Sequence, residues 1–292
     1  MSGFAPITVP SVRDRKHGPK LTMVTAYDFP SASIASEAGI DIILVGDSLA
    51  NVVHGFDDTL SATVDMMILH AAAVSRADPH SLVVVDMPWM SYHVSVEEAI
   101  TNAGRLIREG RAQAVKIEGG ANRIETIRRI IGAEIPVMGH LGLTPQSVNA
   151  MGGYKVQGKD IDDAQQMIAD ARALDDAGVF AIVLEGVPDV LAEAITRSVS
   201  VPTIGIGAGD ATDGQVLVFH DVLGLGAGRY PKFVRSYADL RSAAIDALAR
   251  YREDVMSGAF PGESETYHVS DEVAEMLGVA LSETKESSSL SS

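Results

Sequence analysis

The stretch SLVVVDMPWMSYHVSVEEAITNAGRLIREGRAQAVKIEGG, residues 81–120, decides the fold. It opens with SLVVVDMP, an apolar β-branched run too short for a helix and too continuous for a strand with one wet face. Such a run predicts a strand buried on both faces of a parallel sheet. The amphipathic segment Val96 to Glu109 follows, preceded by Ser95, and Glu98 stands at the spacing of a capping box, in which side chains satisfy the free amides of a helix start. A second run, AVKIEGG, completes a strand, helix, strand unit.

Working outward, the same kind of run recurs as LTMVTAYD, IDIILVGD, PVMGHLG, FAIVLEGV, PTIGIGAG and a weaker VLVFHDVLG, which brings the total to eight. Helix-like segments lie between several of them: Val64 to Arg76, Arg123 to Ile131, Ile161 to Asp176 and Val190 to Val199. No Pro-rich or Ser-rich linker interrupts the series. The pattern predicts an α/β fold, a (β/α)8 barrel in one domain, in preference to a doubly wound sheet. Residues 1–20 form an N-terminal arm, 21–262 the barrel and 263–292 a partly disordered tail with one short amphipathic piece, Glu272 to Leu277. Val234 to Met256 reads as a long closing helix, the C-terminal helical extension of the barrel.

Composition narrows the function. Of 292 residues 46% are apolar, enough for a full-sized core. The 39 acidic against 23 basic residues give a net charge of -16, whose field repels nucleic acid and anionic membrane. An anionic small substrate feels the same repulsion and needs a local lysine or metal ion. The chain has no cysteine, which removes disulfides, thiolate metal sites and cysteine nucleophiles. The first residues, MSGFAPITVPSVRDRKHGPK, hold no signal-like apolar core, and no run approaches the roughly 18 apolar residues of a membrane span. A soluble cytoplasmic protein is expected.

Three short motifs fail on inspection. GDSL at Gly46 to Leu49 suggests a serine esterase, but no histidine after Ser48 has an aspartate three positions earlier, so the hydroxyl lacks its base. Gly153 to Lys159 follows a P-loop for seven positions and then has Asp160 where a hydroxyl is needed. GIGAG at Gly205 to Gly209 is followed by Asp210 in place of the third glycine of a dinucleotide fingerprint, and its glycines serve either close backbone approach or a ligand contact.

A constellation remains. Asp47, Asp86 and Glu118 end the second, third and fourth runs, side by side on the C-terminal rim of a barrel. Any one of them is an ordinary helix cap or turn former. Three together repel one another and call for a cation, and oxygen ligands without cysteine select Mg2+ or a similar hard ion. Lys116 precedes Glu118 by two residues, so both share a face of the strand; it is either a lysine snorkelling at a barrel end or the positive charge an anionic substrate requires. His140 ends PVMGHLG and Glu185 ends FAIVLEGV. An inward Glu185 among Ile182, Val183 and Leu184 is expected to have a raised pKa suited to a base, the alternative being a salt-bridged rim carboxylate. His140 is a further site residue or only a hydrogen-bond partner within the site.

TAYD, GDS, KIEGG, GHLGLTPQ, GGYKVQGK and IGIGAG with DGQVLV, in this order from about Leu21 to Gly262, closely resemble the ketopantoate hydroxymethyltransferase family. The resemblance implies a barrel of the phosphoenolpyruvate mutase and isocitrate lyase superfamily, assembled as a homo-oligomer that is often a decamer. It implies transfer of a one-carbon unit from 5,10-methylenetetrahydrofolate to 3-methyl-2-oxobutanoate, giving 2-dehydropantoate on the way to pantothenate. On the matching positions, Asp47, Asp86 and Glu118 would hold Mg2+, directly or through water, with Mn2+ or Co2+ as substitutes. Asp47, Ser48, Asp86 and Lys116 would contact the keto acid, and Glu185 would accept the proton. Two competing readings remain at this level: a lyase or mutase of the same superfamily, disfavoured because its isocitrate-lyase-like branch needs a cysteine, and a non-catalytic barrel that binds a keto acid.

Overall fold

The computed structural model describes residues 5–153, 155–228 and 230–278. Eight parallel strands close into a barrel in chain order: β1 (Leu21–Thr25), β2 (Ile42–Val45), β3 (Leu82–Asp86), β4 (Ala114–Glu118), β5 (Val137–Gly142), β6 (Ala181–Glu185), β7 (Thr203–Ile206) and β8 (Gly214–Leu217). The chain divides into two compact units, one ending at Asp239 and one beginning at Leu240.

Strand alternation sorts the apolar residues into two cores. Leu21, Ile42, Leu44, Leu82, Val84, Met138 and Val183 point inward and fill the barrel with Val12 from the helix Val9–Arg13. The N-terminal arm is therefore a plug: Ile7 N donates to His80 O at 2.7 Å, and Lys16 pairs with Asp213 at 2.9 Å, both next to strand beginnings. The intervening residues Val83, Val85, Val115, Ile117, Ile182 and Leu184 point outward, where Val74, Leu106, Ile130, Leu174 and Ile195 of the surrounding helices cover them. Those helices are Val64–Ser75, Val96–Arg108, Ile124–Gly132, Ile161–Ala177 and Asp189–Ser198, within a residue or two of the sequence reading. Ser95 accepts from Glu98 N at 3.1 Å, so the serine half of the expected capping box forms.

Three expectations need correction. β7 and β8 are joined by residues 207–213 without a helix, so strand–helix alternation lapses there. The eighth strand starts at Gly214, earlier than VLVFHDVLG suggested, and Phe219–Val222 within that run is a helical turn. The closing helix begins at Leu240, not Val234, and ends at Ser257. Tyr237 N donates to Val222 O at 2.7 Å and Ser236 Oγ to Asp221 O at 2.8 Å, tying this segment to the turn after β8 in place of helical bonds.

In the second unit the helix Leu240–Ser257 has no buried residue among those described, and a short helix, Asp271–Met276, lies where an amphipathic piece was read. The last residues of the expected tail, 279–292, lie outside the described residues. No described helix is long and apolar enough to cross a membrane.

Candidate active site

The register of the barrel brings the polar residues together. Asp86, Lys116, Glu118, His140 and Glu185 share strand parity with the inward core residues Val84, Ala114, Met138 and Val183, so each side chain projects into the barrel at its C-terminal mouth. Asp47 and Ser48 follow β2 and lead into the helical turn Leu49–Val52. All seven predicted residues line one cavity of about 940 Å3.

Asp86 and Lys116 are register partners, as are Glu118 and His140. Lys116 Nζ lies 2.8 Å from Asp86 Oδ1 and 3.2 Å from His140 Nδ1. His140 stands between two carboxylates, with Nδ1 at 3.4 Å from Glu118 Oε1 and Nε2 at 3.4 Å from Glu185 Oε2. Asp86 Oδ2 accepts from Asp47 N at 3.0 Å. The other members of this group have side chains at most 5% exposed, whereas Glu185 is 17% exposed, so it is the carboxylate best placed to meet a molecule entering the cavity.

Burial and the facing charges of Asp86 and Glu118 push the Asp47 carboxyl well above its usual range. Burial alone would lower Lys116, but Asp86, Glu118 and Asp47 outweigh it and hold the ammonium protonated. Burial and Lys116 likewise act to lower His140, while Glu118 and Glu185 raise it to about 9. Of the apolar neighbours expected around Glu185, Ile182 and Leu184 face outward by strand alternation, while Val183 shares its inward face and lines the same cavity, with His140 Nε2 at 3.4 Å.

Three carboxylates in one buried cluster carry the donor chemistry of a hard cation site. Among the described residues no three His, Asp or Glu groups are already arranged as a cation cage. Two of their oxygens already have partners: Gln146 Nε2 donates to Asp47 Oδ2 at 2.8 Å, and Lys116 Nζ lies 2.8 Å from Asp86 Oδ1.

Two important side chains escaped the sequence reading. Gln146 also donates its backbone N–H to Glu118 Oε2 at 3.1 Å, and its Oε1 accepts from Tyr92 OH at 2.7 Å, beneath Arg123. It lies in a loop without periodicity; Pro145 at the start of a 3-10 turn was the available signal. Tyr27, in TAYD, is buried with its OH 2.9 Å from Ser48 Oγ. Burial pushes that phenol well up, so it offers Ser48 no base.

Residues 6–263 match the family model described as Ketopantoate hydroxymethyltransferase. The chain is 53% identical over 275 residues to 3-methyl-2-oxobutanoate hydroxymethyltransferase of Syntrophomonas wolfei subsp. wolfei, covering 94% of this chain and 100% of that one. It is 54% identical over 258 residues to the protein of that name from Enterococcus faecalis, covering 88% and 94%. Among solved structures, 2,3-dimethylmalate lyase, a PEP mutase/isocitrate lyase superfamily member, superposes with a TM-score of 0.55 at 18% identity, covering 94% of this chain and 95% of that one. Phosphonopyruvate hydrolase in complex with oxalate and Mg++ gives 0.56 at 14%, covering 93% and 95%. These two likenesses concern the fold. The length and identity of the sequence matches, with the barrel and its acidic mouth, establish that this chain belongs to the ketopantoate hydroxymethyltransferase family.

Proposed function

We propose that this enzyme transfers a hydroxymethyl group to 3-methyl-2-oxobutanoate from 5,10-methylenetetrahydrofolate, yielding 2-dehydropantoate for pantothenate synthesis. The observation that carries the reading is the placement of Glu185, the most exposed carboxylate of the cluster, across one cavity from Asp47, Asp86 and Glu118.

In this reading Asp47, Asp86 and Glu118 would hold Mg2+, directly or through water, with Mn2+ or Co2+ as substitutes. When bound, the ion supplies Lewis acidity toward the keto oxygen, which makes the hydrogen on C3 more acidic. Lys116 and Ser48, with Asp47 and Asp86, orient the keto acid, the ammonium meeting its carboxylate. Glu185 takes the C3 proton. His140, bridging Glu185 and Glu118, steadies the glutamate before and after it is protonated. C3 then bonds to the one-carbon unit, both bonds from that carbon to the folate nitrogens N5 and N10 break, water supplies the hydroxyl, and the C3 proton and the second proton of the water go to the two nitrogens. The reading includes a cytoplasmic enzyme assembled as a homo-oligomer of the decameric kind, and a monomeric sedimentation mass would remove that part.

The test is exchange of the C3 hydrogen of 3-methyl-2-oxobutanoate with deuterated water, followed by NMR with Mg2+ present and no folate. General-base assistance contributes roughly a factor of 100 to 10,000, so Glu185→Gln should slow exchange by about that much. Equal exchange in the variant would reassign the base to His140, and absence of exchange in the unsubstituted enzyme would remove the mechanism.

A further inference from the structure

The cavity is larger than its floor needs. Cavities of roughly 300 to 1,000 Å3 take ligands of drug size, and the about 940 Å3 here exceeds what a small keto acid fills. The charged cluster is largely buried and forms the floor, while Val156, Pro231 and Phe233, which line the same cavity, are exposed and form an apolar outer wall. Phe233 is 37% exposed and lies over the turn after β7, where a Cβ on Gly207, at φ +62°, would sit 2.8 Å from its Cδ1. Only glycine lets the ring seat there.

The cations lining this cavity are Lys116, Lys155 and Lys232, apart from His140. Lys116 is buried in the cluster beside Asp86, where the proposed reaction places the keto acid. Lys155 and Lys232 are exposed, and no ion pair joins either to a described residue. Among the described residues lining the cavity, which include Asp57 and Asp221, these two exposed lysines are positive groups an entering anion meets before the buried cluster, in a chain of net charge -16.

We propose that the outer half of the cavity is the subsite of the second substrate, a molecule with a flat ring system and a carboxylate-bearing tail. The ring lies against the apolar outer wall with Phe233, and Lys155 and Lys232 are the specificity-determining counter-ions of the tail carboxylates. The inference rests on the proposed reaction, whose one-carbon donor has this chemistry, and deepens it by assigning the donor's site.

Tetrahydrofolate, titrated calorimetrically into the full chain, tests it. Lys155→Gln and Lys232→Gln should each weaken binding about two- to fivefold, the scale of a solvent-exposed charge pair. The double variant should weaken it further, with a difference that shrinks as salt is raised. In turnover the KM for the donor should rise while that for the keto acid stays. Lys159→Gln, outside the cavity, is the control. Unchanged tetrahydrofolate binding in the double variant, or no binding by the unsubstituted enzyme, overturns the assignment. Lysine-dependent binding without any C3 exchange would leave the subsite standing and overturn the proposed mechanism instead.

Discussion

Asp86 and Lys116 are register partners on adjacent strands, and their side chains meet in an ion pair of 2.8 Å from which water is almost excluded. Removing one partner of such a pair strands the other charge in the interior, at a cost of roughly 3 to 5 kcal/mol. Asp86→Asn should therefore lower the denaturation midpoint sharply, and adding Lys116→Met should restore part of the loss. A double-mutant cycle by urea unfolding reads the coupling. Additive effects would show that the pair is not formed in solution.

The proposed metal site predicts that a chelator abolishes turnover and that Mg2+, Mn2+ or Co2+ restores it. Calorimetric titration of Mg2+ into Asp47→Asn should show weakened binding, because one of three clustered carboxylates is then neutral. Full activity in metal-free buffer would dismiss the assignment.

Ser48 separates the transferase from the esterase suggested by GDSL. Its hydroxyl is 2.9 Å from a phenol, Tyr27, whose own pKa is raised, so Ser48 should not react with a fluorophosphonate. Ser48→Ala should raise the KM for the keto acid only modestly. Mass-spectrometric detection of a phosphonylated Ser48 would reopen hydrolysis.

Gln146 makes four hydrogen bonds in the site, two of them to Asp47 and Glu118. Gln146→Leu keeps the backbone bond to Glu118 but leaves Tyr92 OH, Met87 O and Asp47 Oδ2 without the amide. Loss of a buried partner costs about 1 to 3 kcal/mol per group left unsatisfied. The variant should melt several degrees lower while Gln146→Glu, sharing only the acceptor, recovers the Tyr92 contact alone; identical melting of all three proteins would exclude this role.

Asp213 should make stability depend on acid. Its burial would raise the carboxyl, but hydrogen bonds from Thr203 N, Lys16 Nζ and His17 N outweigh that and hold it below its usual value. A depressed folded pKa means stability that is complete above the unfolded value of roughly 3.9 and lost as pH falls through the folded one. Asp213→Asn should be less stable than the parent in urea at pH 7, with the gap narrowing toward pH 3. A gap of unchanged size from pH 7 down to the acid limit of folding would show that the carboxylate charge contributes nothing.

Much of the barrel was legible because a strand buried on both faces must be apolar at successive positions. Periodicity also tells which residues share a face: Lys116 and Glu118 two apart on one strand could only point the same way. The termini of elements were less legible where helix competes with tertiary hydrogen bonds. Val234 onward has helical composition, yet Ser236 and Tyr237 are held by Asp221 and Val222, and the helix waits until Leu240. The helix-free passage from β7 to β8 had no counter-signal either, since seven residues are enough to cross the length of so short a strand.

The sequence by itself determined that apolar runs would recur as buried strands with helices between most of them, that cysteine chemistry was absent, and that acids would stand at the ends of consecutive strands. These are properties of residue type and local spacing. Only the closed barrel decided which charges meet: that Asp86 takes Lys116, that His140 stands between Glu118 and Glu185, and that Gln146 reaches Asp47 from a loop almost a hundred residues away. Those contacts depend on strand register and on the path of a loop across the mouth, and neither has a local period by which a single chain could announce it.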